Sequence, residues 1–314
     1  MGFDGLLGNA RLKENLRASL VRGRTSHFYL ISGPTGSGKK TLARLLAAAL
    51  VCKEADKPCL NCPACRKMMA DTHPDFISVT DKEHKNVAVK IVREIRDDMF
   101  VMPNEADKKI YLFPQELGIE GQNALLKVLE EPPAYAVAIL LADNPEKMLT
   151  TVRSRCTELN LQALSHQELS AALRKAFPDT EESLLQGAIA RSGGYLGQAK
   201  ALLEAGGDVS PQTEQFIAAF TQKNALQMLG LLTPMGTWGR DKFLEELSLW
   251  TQLLQQALSC RSGMAAASEQ VRRLAEGRSA KELLLAVRNL QTAIEYAQGN
   301  VSVAAICGWL IYNI

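Results

Sequence analysis

The stretch FYLISGPTGSGKKTLARLLAAALVC occupies residues 28–52 and decides the fold of the chain. Its apolar start, residues 28–31, predicts a short buried strand. The glycine-rich run GPTGSGK follows at 33–39, and the segment after it is rich in Ala and Leu, which favour a helix. A strand, a glycine loop and a helix in this order predict the opening unit of a nucleotide-binding α/β fold.

The run GPTGSGK supplies seven of the eight positions of the phosphate-binding motif GxxxxGK[ST]. Glycines let backbone N–H groups turn towards phosphates, the following helix N-terminus adds partial positive charge, and the lysine reaches the terminal phosphates. An ordinary glycine turn between a strand and a helix is the alternative. If the run is a phosphate loop by descent, its vestigial nucleotide-binding residues are Gly33, Gly36, Gly38, Lys39, Lys40 and Thr41.

The eighth position of this motif should carry a hydroxyl that binds Mg²⁺, but the chain has Lys40 there. An ammonium group repels a divalent cation and offers it no oxygen. Thr41 comes one residue late, about 100° further round the helix, so it does not replace the missing hydroxyl.

The second metal element of such ATPases is also absent. A hydrophobic strand normally ends in Asp-Glu, where Asp supports Mg²⁺ and the neighbouring carboxylate orients the attacking water. The matching strand here, at 110–113, is followed by Pro114 and Gln115, and Glu116 lies one position beyond. We therefore expect weak or absent ATP binding and no hydrolysis by this chain.

Further apolar runs predict a parallel sheet with helices on both faces. After about residue 162 the pattern is helical, Ser165 and Glu168 predict a capping box, and residues 205–212 resemble a linker. The predicted strands after the first are 76–80, 110–113, 136–141 and 158–161. The predicted domains are an α/β domain at 1–162, a small helical domain at 163–207 and a larger helical domain at 208–314.

The net charge, the apolar runs and the cysteine count of the sequence exclude several classes of protein. The 314 residues carry a net charge of +2, which excludes a uniformly basic coat for nucleic acid. There is no run of 18 apolar residues for a membrane span, and residues 1–20 lack the layout of a signal peptide. Seven cysteines, four of them clustered, suit a reducing compartment better than a disulfide framework. We expect a cytoplasmic protein without a membrane partner.

The cysteine cluster has the spacing C-x₆-C-x₂-C-x₂-C. Four thiolates so close in sequence can close a tetrahedral Zn²⁺ site, and four protein ligands indicate a structural role. A redox CxxC pair and reduced cysteines in a helical turn are the alternatives. Cys52 is the least certain ligand and His73 its possible substitute. The predicted zinc ligands are Cys52, Cys59, Cys62 and Cys65.

Several segments resemble the bacterial clamp-loader branch of the AAA+ family. The run NALLKVLEEPP at 123–133 carries the strongest resemblance, and SRC at 154–156 is a second signature. DNPEK at 143–147 falls where clamp-loader subunits place their first sensor, and HPD at 73–75 matches a further family segment. These landmarks cover roughly the first 160 residues in the family's order.

The resemblance implies an AAA+ domain with an inserted zinc module near 52–65, followed by helical lid and collar domains. The departures from the motor subunits imply a non-hydrolysing subunit, because a motor has Gly-Ser-x-Arg where this chain has GYLG at 194–197. In such a subunit Arg155 is implied to be an arginine finger that acts on ATP held by a neighbouring motor. Arg153 has the weaker claim to that role, and an arginine tied to a surface carboxylate is the alternative for Arg155.

The implied function is to support ATP-dependent loading of a sliding clamp onto primed DNA. The implied partners are the motor subunits, a clamp-opening subunit, the sliding clamp and primer-template DNA. An ATP-hydrolysing motor subunit of the same assembly is the first alternative. An independent zinc-dependent DNA-binding protein is the second, and it would require a basic stripe that the sequence does not have.

Overall fold

The computed structural model forms two compact units. The first contains Met1–Leu169 and Gly194–Gln198, and the second contains Ser170–Gly193 and Ala199–Ile314. Most of the predicted linker, at 205–209, lies outside the described residues, and the division into three domains stays a prediction. The structure describes residues 2–84, 86–204, 210–263, 268–299 and 301–314.

The first unit is built on a parallel sheet of five strands in the order β2-β3-β4-β1-β5. Each predicted strand is present, and the predicted parallel α/β sheet is confirmed. The elements in chain order are α1 (Ala10–Val21), β1 (Phe28–Ser32), α2 (Lys39–Val51), α3 (Pro63–Met69), β2 (Phe76–Ser78), α4 (Val89–Asp98), β3 (Lys109–Phe113), α5 (Ile119–Glu130), β4 (Ala136–Ala142), α6 (Thr150–Arg153) and β5 (Thr157–Asn160).

The three central strands, β1, β3 and β4, are buried along their whole length. One face of the sheet packs against apolar residues of α1, α2 and α3, and the other against residues of α4 and α5. Because all strands are parallel, the loops that follow β1, β3 and β4 lie at the same edge of the sheet. This edge is where ligands bind in open α/β sheets.

The predicted capping box is also confirmed. The hydroxyl of Ser165 accepts from the backbone N–H of Glu168, and the carboxylate of Glu168 accepts from the backbone N–H of Ser165 at 3.0 Å. In the described residues after β5 every element is a helix. These helices are α7 (His166–Ala176), α8 (Glu182–Arg191), α9 (Leu196–Glu204), α10 (Pro211–Thr221), α11 (Ala225–Met235), α12 (Arg240–Arg261), α13 (Glu269–Gly277), α14 (Ala280–Gln298) and α15 (Val303–Asn313).

The second unit has its own apolar core around Trp250, whose side chain is completely buried. The indole ring stacks on Phe216 with ring centroids 4.2 Å apart, and its N–H donates to the hydroxyl of Thr213 at 3.0 Å. A buried indole with its polar atom satisfied gives apolar burial without an unpaired donor. Helices α10 to α15 all contribute buried apolar residues to this core.

Candidate functional site

The predicted phosphate loop lies between β1 and α2, at the carboxyl end of the sheet. Gly33, Gly36 and Gly38 have φ values of 151°, 80° and 99°, in a region that residues with a side chain rarely adopt. The helix begins directly after them at Lys39. The loop therefore has the strand–turn–helix context that a phosphate loop requires.

The lysine of this loop is already bound to protein groups. Lys39 Nζ lies 2.6 Å from the carboxylate Oδ1 of Asp143, which follows β4. The same ammonium donates to the backbone carbonyls of Gly33 at 2.5 Å and Pro34 at 3.0 Å. Three acceptors match the three donors of an ammonium group, so a phosphate would have to displace one of these acceptors to bind Lys39.

The apex of the loop is covered by the first turn of α9. The backbone N–H of Gly197 donates to the carbonyl of Gly36 at 2.9 Å, and the amide side chain of Gln198 donates to the carbonyl of Thr35 at 2.9 Å. A Cβ atom on Gly36 would stand only 2.6 Å from the backbone nitrogen of Gln198. Gly197 is also the position at which a motor subunit would carry its sensor arginine, and the close backbone approach leaves no room there for a side chain.

The expected metal positions hold no metal-binding group. Lys40 is exposed on α2, and Thr41 is half-buried one position further along. After β3, the amide of Gln115 accepts from the backbone N–H of Asp81 at 2.9 Å. The carboxylate of Glu116 pairs with Lys147 at 3.2 Å. Gln115 and Glu116 are thus used in structural contacts, and Pro114, directly after β3, has no group that binds metal.

Arg155 lies just after α6 with its side chain 38% exposed. Its Nη2 donates to Glu130 Oε1 at 3.0 Å, and its Nη1 donates to the carbonyl of Thr151 at 3.0 Å. The structure places the guanidinium at the surface, next to one carboxylate. This geometry fits an arginine paired with a surface carboxylate and also an arginine that can leave it for another anion.

Arg153 is held differently, because its guanidinium contacts two carboxylates. It pairs with Glu146 at 2.8 Å and with Glu158 at 3.0 Å. The hydrogen bonds that Arg153 donates to Glu158 and Glu146 raise the pKa of its guanidinium above the ordinary value. Arg153 is therefore fixed within the unit.

The four clustered cysteines come together in space. Their sulfur atoms all lie within 4.8 Å of one another, and Cys59 Sγ is 3.9 Å from Cys65 Sγ. Four sulfurs at about 2.3 Å from a tetrahedral Zn²⁺ would be about 3.8 Å apart. Cys52, at the end of α2, belongs to this group. The cluster could therefore bind a metal ion.

Backbone donors around these sulfurs favour the thiolate form, which is the form that binds metal. The N–H of Cys62 donates to Cys59 Sγ at 3.3 Å, and the N–H of Cys65 donates to Cys62 Sγ at 3.4 Å. Hydrogen bonds from the backbone of Cys62 and Asn61 lower the pKa of Cys59 to about 7. Burial raises the pKa of Cys65, so a bound cation would supply the charge that this thiolate needs. The donor set fits a structural zinc ion.

His73 does not join the cysteine cluster. Its buried ring nitrogen Nδ1 accepts from the backbone N–H of Asp75 at 3.1 Å. Asp75 is completely buried, and its carboxylate accepts from the backbone N–H groups of Asn104 (2.5 Å), Glu105 (2.7 Å) and Ala106 (2.8 Å). The His-Pro-Asp segment therefore anchors the loop that leads into β3.

Replacing Asp75 by Asn is expected to lower the free energy of unfolding by about 3 kcal/mol at pH 7, because charge-assisted hydrogen bonds are lost in a buried place. Burial opposes the charge of Asp75, but the N–H groups of Asn104, Ala106 and Glu105 hold its pKa below the ordinary value. The stabilisation is therefore present above about pH 4, the unfolded value, and is lost as the pH falls through the lower folded pKa.

Urea denaturation at pH 7 and at pH 3.5 measures this effect. Asp107→Asn is the matched control, because Asp107 is exposed and pairs with Lys53 only at 3.7 Å. Equal stability of wild type and Asp75→Asn at pH 7 would show that Asp75 does not anchor the loop.

Among the helices that the structure describes, none combines the length and the apolar character that a membrane crossing needs.

Comparison with known proteins agrees with the resemblance in the sequence. The family model described as "DNA polymerase III, delta subunit" matches residues 8–165. DNA polymerase III subunit delta' of Pseudomonas aeruginosa is 35% identical over 55% of this chain and 54% of its own length. Subunit tau of Bacillus subtilis is 29% identical over 78% of this chain and 48% of its own length.

Subunit gamma of Buchnera aphidicola is 30% identical over 78% of this chain and 67% of its own length. The chain thus spans about half the length of the tau and delta' relatives. The sheet, the phosphate loop and these relatives define the class, and the chain belongs to the DNA polymerase III clamp-loader subunits of the AAA+ family.

Proposed function

We propose that the chain is the delta-prime subunit of a DNA polymerase III clamp loader and does not hydrolyse ATP itself. The observation that carries this proposal is the contact between Lys39 and Asp143, which fills the phosphate loop with a protein carboxylate. Lys40, Pro114 and Gln115 add to it, because they stand where a motor has its metal-binding and water-orienting groups. Nucleotide binding by this chain is weak or absent.

In this role Arg155 is an arginine finger that reaches ATP on a neighbouring motor subunit. A guanidinium placed against the transferring phosphoryl group neutralises the charge that spreads over its oxygens. Arg155 is partly exposed and pairs with one carboxylate among the residues that the structure describes, whereas Arg153 pairs with two, and this difference supports Arg155 as the finger. The finger acts in trans, and the chain contributes no catalytic group to a site of its own.

The partners are gamma or tau motor subunits, a clamp-opening delta subunit, the sliding clamp and, through the complex, primer-template DNA. The residues at 163–207 form a lid domain, and those at 208–314 form a collar domain that joins the subunits. The cysteine cluster holds a structural Zn²⁺, and the protein works in the cytoplasm. Among these partners, the names of the relatives support subunits of the gamma and tau type.

A gamma- or tau-type motor is the second candidate, since relatives with those names match 78% of the chain whereas the delta' relative matches 55%. Steady-state ATP turnover separates the two. For a delta-prime subunit we expect no ATP turnover by the chain alone. When the chain is added to the motor subunit, the clamp-opening subunit, the clamp and primed DNA, we expect the ATP turnover of that mixture to rise several-fold. Turnover by the chain alone would identify a motor.

A restored metal hydroxyl is not expected to restore ATP binding. In Lys40→Thr the ion pair of Lys39 with Asp143 and the contact of Gly36 with Gly197 remain, so we expect its affinity for Mg·ATP to stay within a factor of about three of wild type. Isothermal titration calorimetry measures it. The double variant Lys40→Thr/Asp143→Ala removes the carboxylate partner of Lys39 and should bind Mg·ATP at least about tenfold more tightly. Micromolar binding by Lys40→Thr alone would contradict a closed loop.

A further inference from the structure

The ion pair between Arg155 and Glu130 joins the segment that carries the proposed finger to the end of α5. Arg155 Nη2 lies 3.0 Å from Glu130 Oε1, and the two side chains are 38% and 58% exposed. The second terminal nitrogen, Nη1, donates to the carbonyl of Thr151, one turn earlier in α6. Each terminal nitrogen therefore uses one of its two N–H donors on a partner within the chain, and these contacts fix the direction in which the guanidinium points.

Glu130 lies at a position where a nearby cation stabilises its carboxylate. It is the last residue of α5, and Glu131 follows directly. The carboxyl end of a helix carries partial negative charge, so a carboxylate there is disfavoured unless a cation is near. Arg155 supplies that cation. The pair is nevertheless open to water, and exposed pairs change equilibria by a factor of no more than about five.

The neighbouring Arg153 provides an internal comparison. Its side chain is 26% exposed, and its guanidinium contacts Glu146 and Glu158 together. Moving Arg153 would break two ion pairs, whereas moving Arg155 breaks one. Of these two arginines, Arg155 is the one that can exchange its partner for an anion outside the chain at low cost.

We infer that Glu130 is a positioning residue that holds the finger Arg155 back from the neighbouring nucleotide, and this inference rests on the proposed function. A guanidinium nitrogen that donates to Glu130 cannot at the same time donate to a phosphate along the same direction. Glu130 therefore competes with the phosphate for Arg155. In the assembly without clamp and DNA, the pairing of Arg155 with Glu130 lowers ATP turnover. In the assembly with clamp and primed DNA, Arg155 is held on the phosphate, and Glu130 no longer affects the rate.

The test is steady-state turnover at saturating ATP by the complete assembly, with and without clamp and primed DNA. The chain is added as wild type, Glu130→Gln, Glu146→Gln, Arg155→Ala or Glu130→Gln/Arg155→Ala. Glu146→Gln is the matched control, because it removes an exposed carboxylate from Arg153 in the same way. Co-elution in size-exclusion chromatography verifies assembly of each variant, and Glu130→Ala serves as a second variant without charge.

We expect Glu130→Gln and Glu130→Ala to raise turnover without clamp and DNA by about two- to fivefold and to leave the stimulated rate unchanged. Glu146→Gln should change neither rate, and Glu130→Gln/Arg155→Ala should equal Arg155→Ala. An unchanged unstimulated rate in both Glu130 variants overturns the inference, as does a rise that persists without Arg155. If Arg155→Ala itself leaves turnover unchanged, the proposed finger is wrong, and that outcome is distinct from a failure of Glu130 alone.

Discussion

Replacing Arg155 by alanine is expected to lower ATP hydrolysis at the neighbouring motor site by about 10³-fold or more, the range known for arginine fingers that act in trans. The physical reason is the loss of a guanidinium that neutralises the phosphoryl group in the transition state. Total turnover of the assembly, summed over all motor sites, should fall only several-fold and not 10³-fold, because the other motor sites keep their own fingers. The measurement is steady-state turnover with clamp and primed DNA present.

Two variants make this result specific. Arg153→Ala removes an arginine that is bound to Glu146 and Glu158 within the unit, so we expect turnover near that of wild type. Arg155→Lys keeps the charge but loses the two-nitrogen fork, and it should recover only a small part of the rate. Equal turnover with wild type and Arg155→Ala, in assemblies of equal composition, would show that the chain is a scaffold without a finger.

The strands of the first unit could be predicted because four of them are short runs of largely apolar residues. The central strands β1, β3 and β4 are buried along their length, and the predicted bounds differ from the observed ones by one residue at most. The edge strand β5 has the weakest pattern, since only Leu159 of its four residues is buried. Its prediction at 158–161 was accordingly shifted by one residue. Strand order has no local signature, because it depends on which strands pair across long separations.

The closure of the phosphate loop could not be predicted for the same reason. Lys39 and Asp143 are 104 positions apart, and they meet only because β4 pairs with β1 and both loops leave the same edge of the sheet. The contact of Gly36 with Gly197 requires the start of α9 to lie against the loop, and no local sequence pattern predicts this placement. The sequence predicted that metal-binding groups are missing. It did not predict that the remaining lysine already has a partner.

The position of Arg155 illustrates a similar limit. The SRC motif marks the residue, but its partner Glu130 lies 25 positions earlier at the end of another helix. A carboxylate at a helix end next to a second carboxylate is a recognisable signal for a nearby cation, although it does not say which cation arrives. The anchoring role of Asp75 was missed as well. A single buried Asp before a strand gives no indication that it accepts from three backbone groups.

The cysteine cluster leads to the second large effect, which concerns stability. We expect the wild-type protein to hold one Zn²⁺ per chain and Cys65→Ser to hold none. We also expect Cys65→Ser to lower the melting temperature of the α/β unit by roughly 10 °C, equivalent to about 4 kcal/mol. Cys65 is completely buried and follows Cys62 at the start of α3, so its loss removes one of four ligands and the link between α3 and the end of α2. Metal content per chain by mass spectrometry and thermal unfolding by circular dichroism measure the two effects.

Cys156→Ser is the matched control for this variant, because Cys156 is a cysteine of the same unit outside the cluster, and burial raises its pKa to about 12. It should keep one zinc per chain and unfold close to wild type. Cys52→Ser tests the ligand that the sequence left least certain, and its sulfur position predicts the same loss as Cys65→Ser. Zinc retained by Cys52→Ser at one per chain would mean that Cys52 is not a ligand. Wild-type protein without zinc would mean that the four thiols pack without metal.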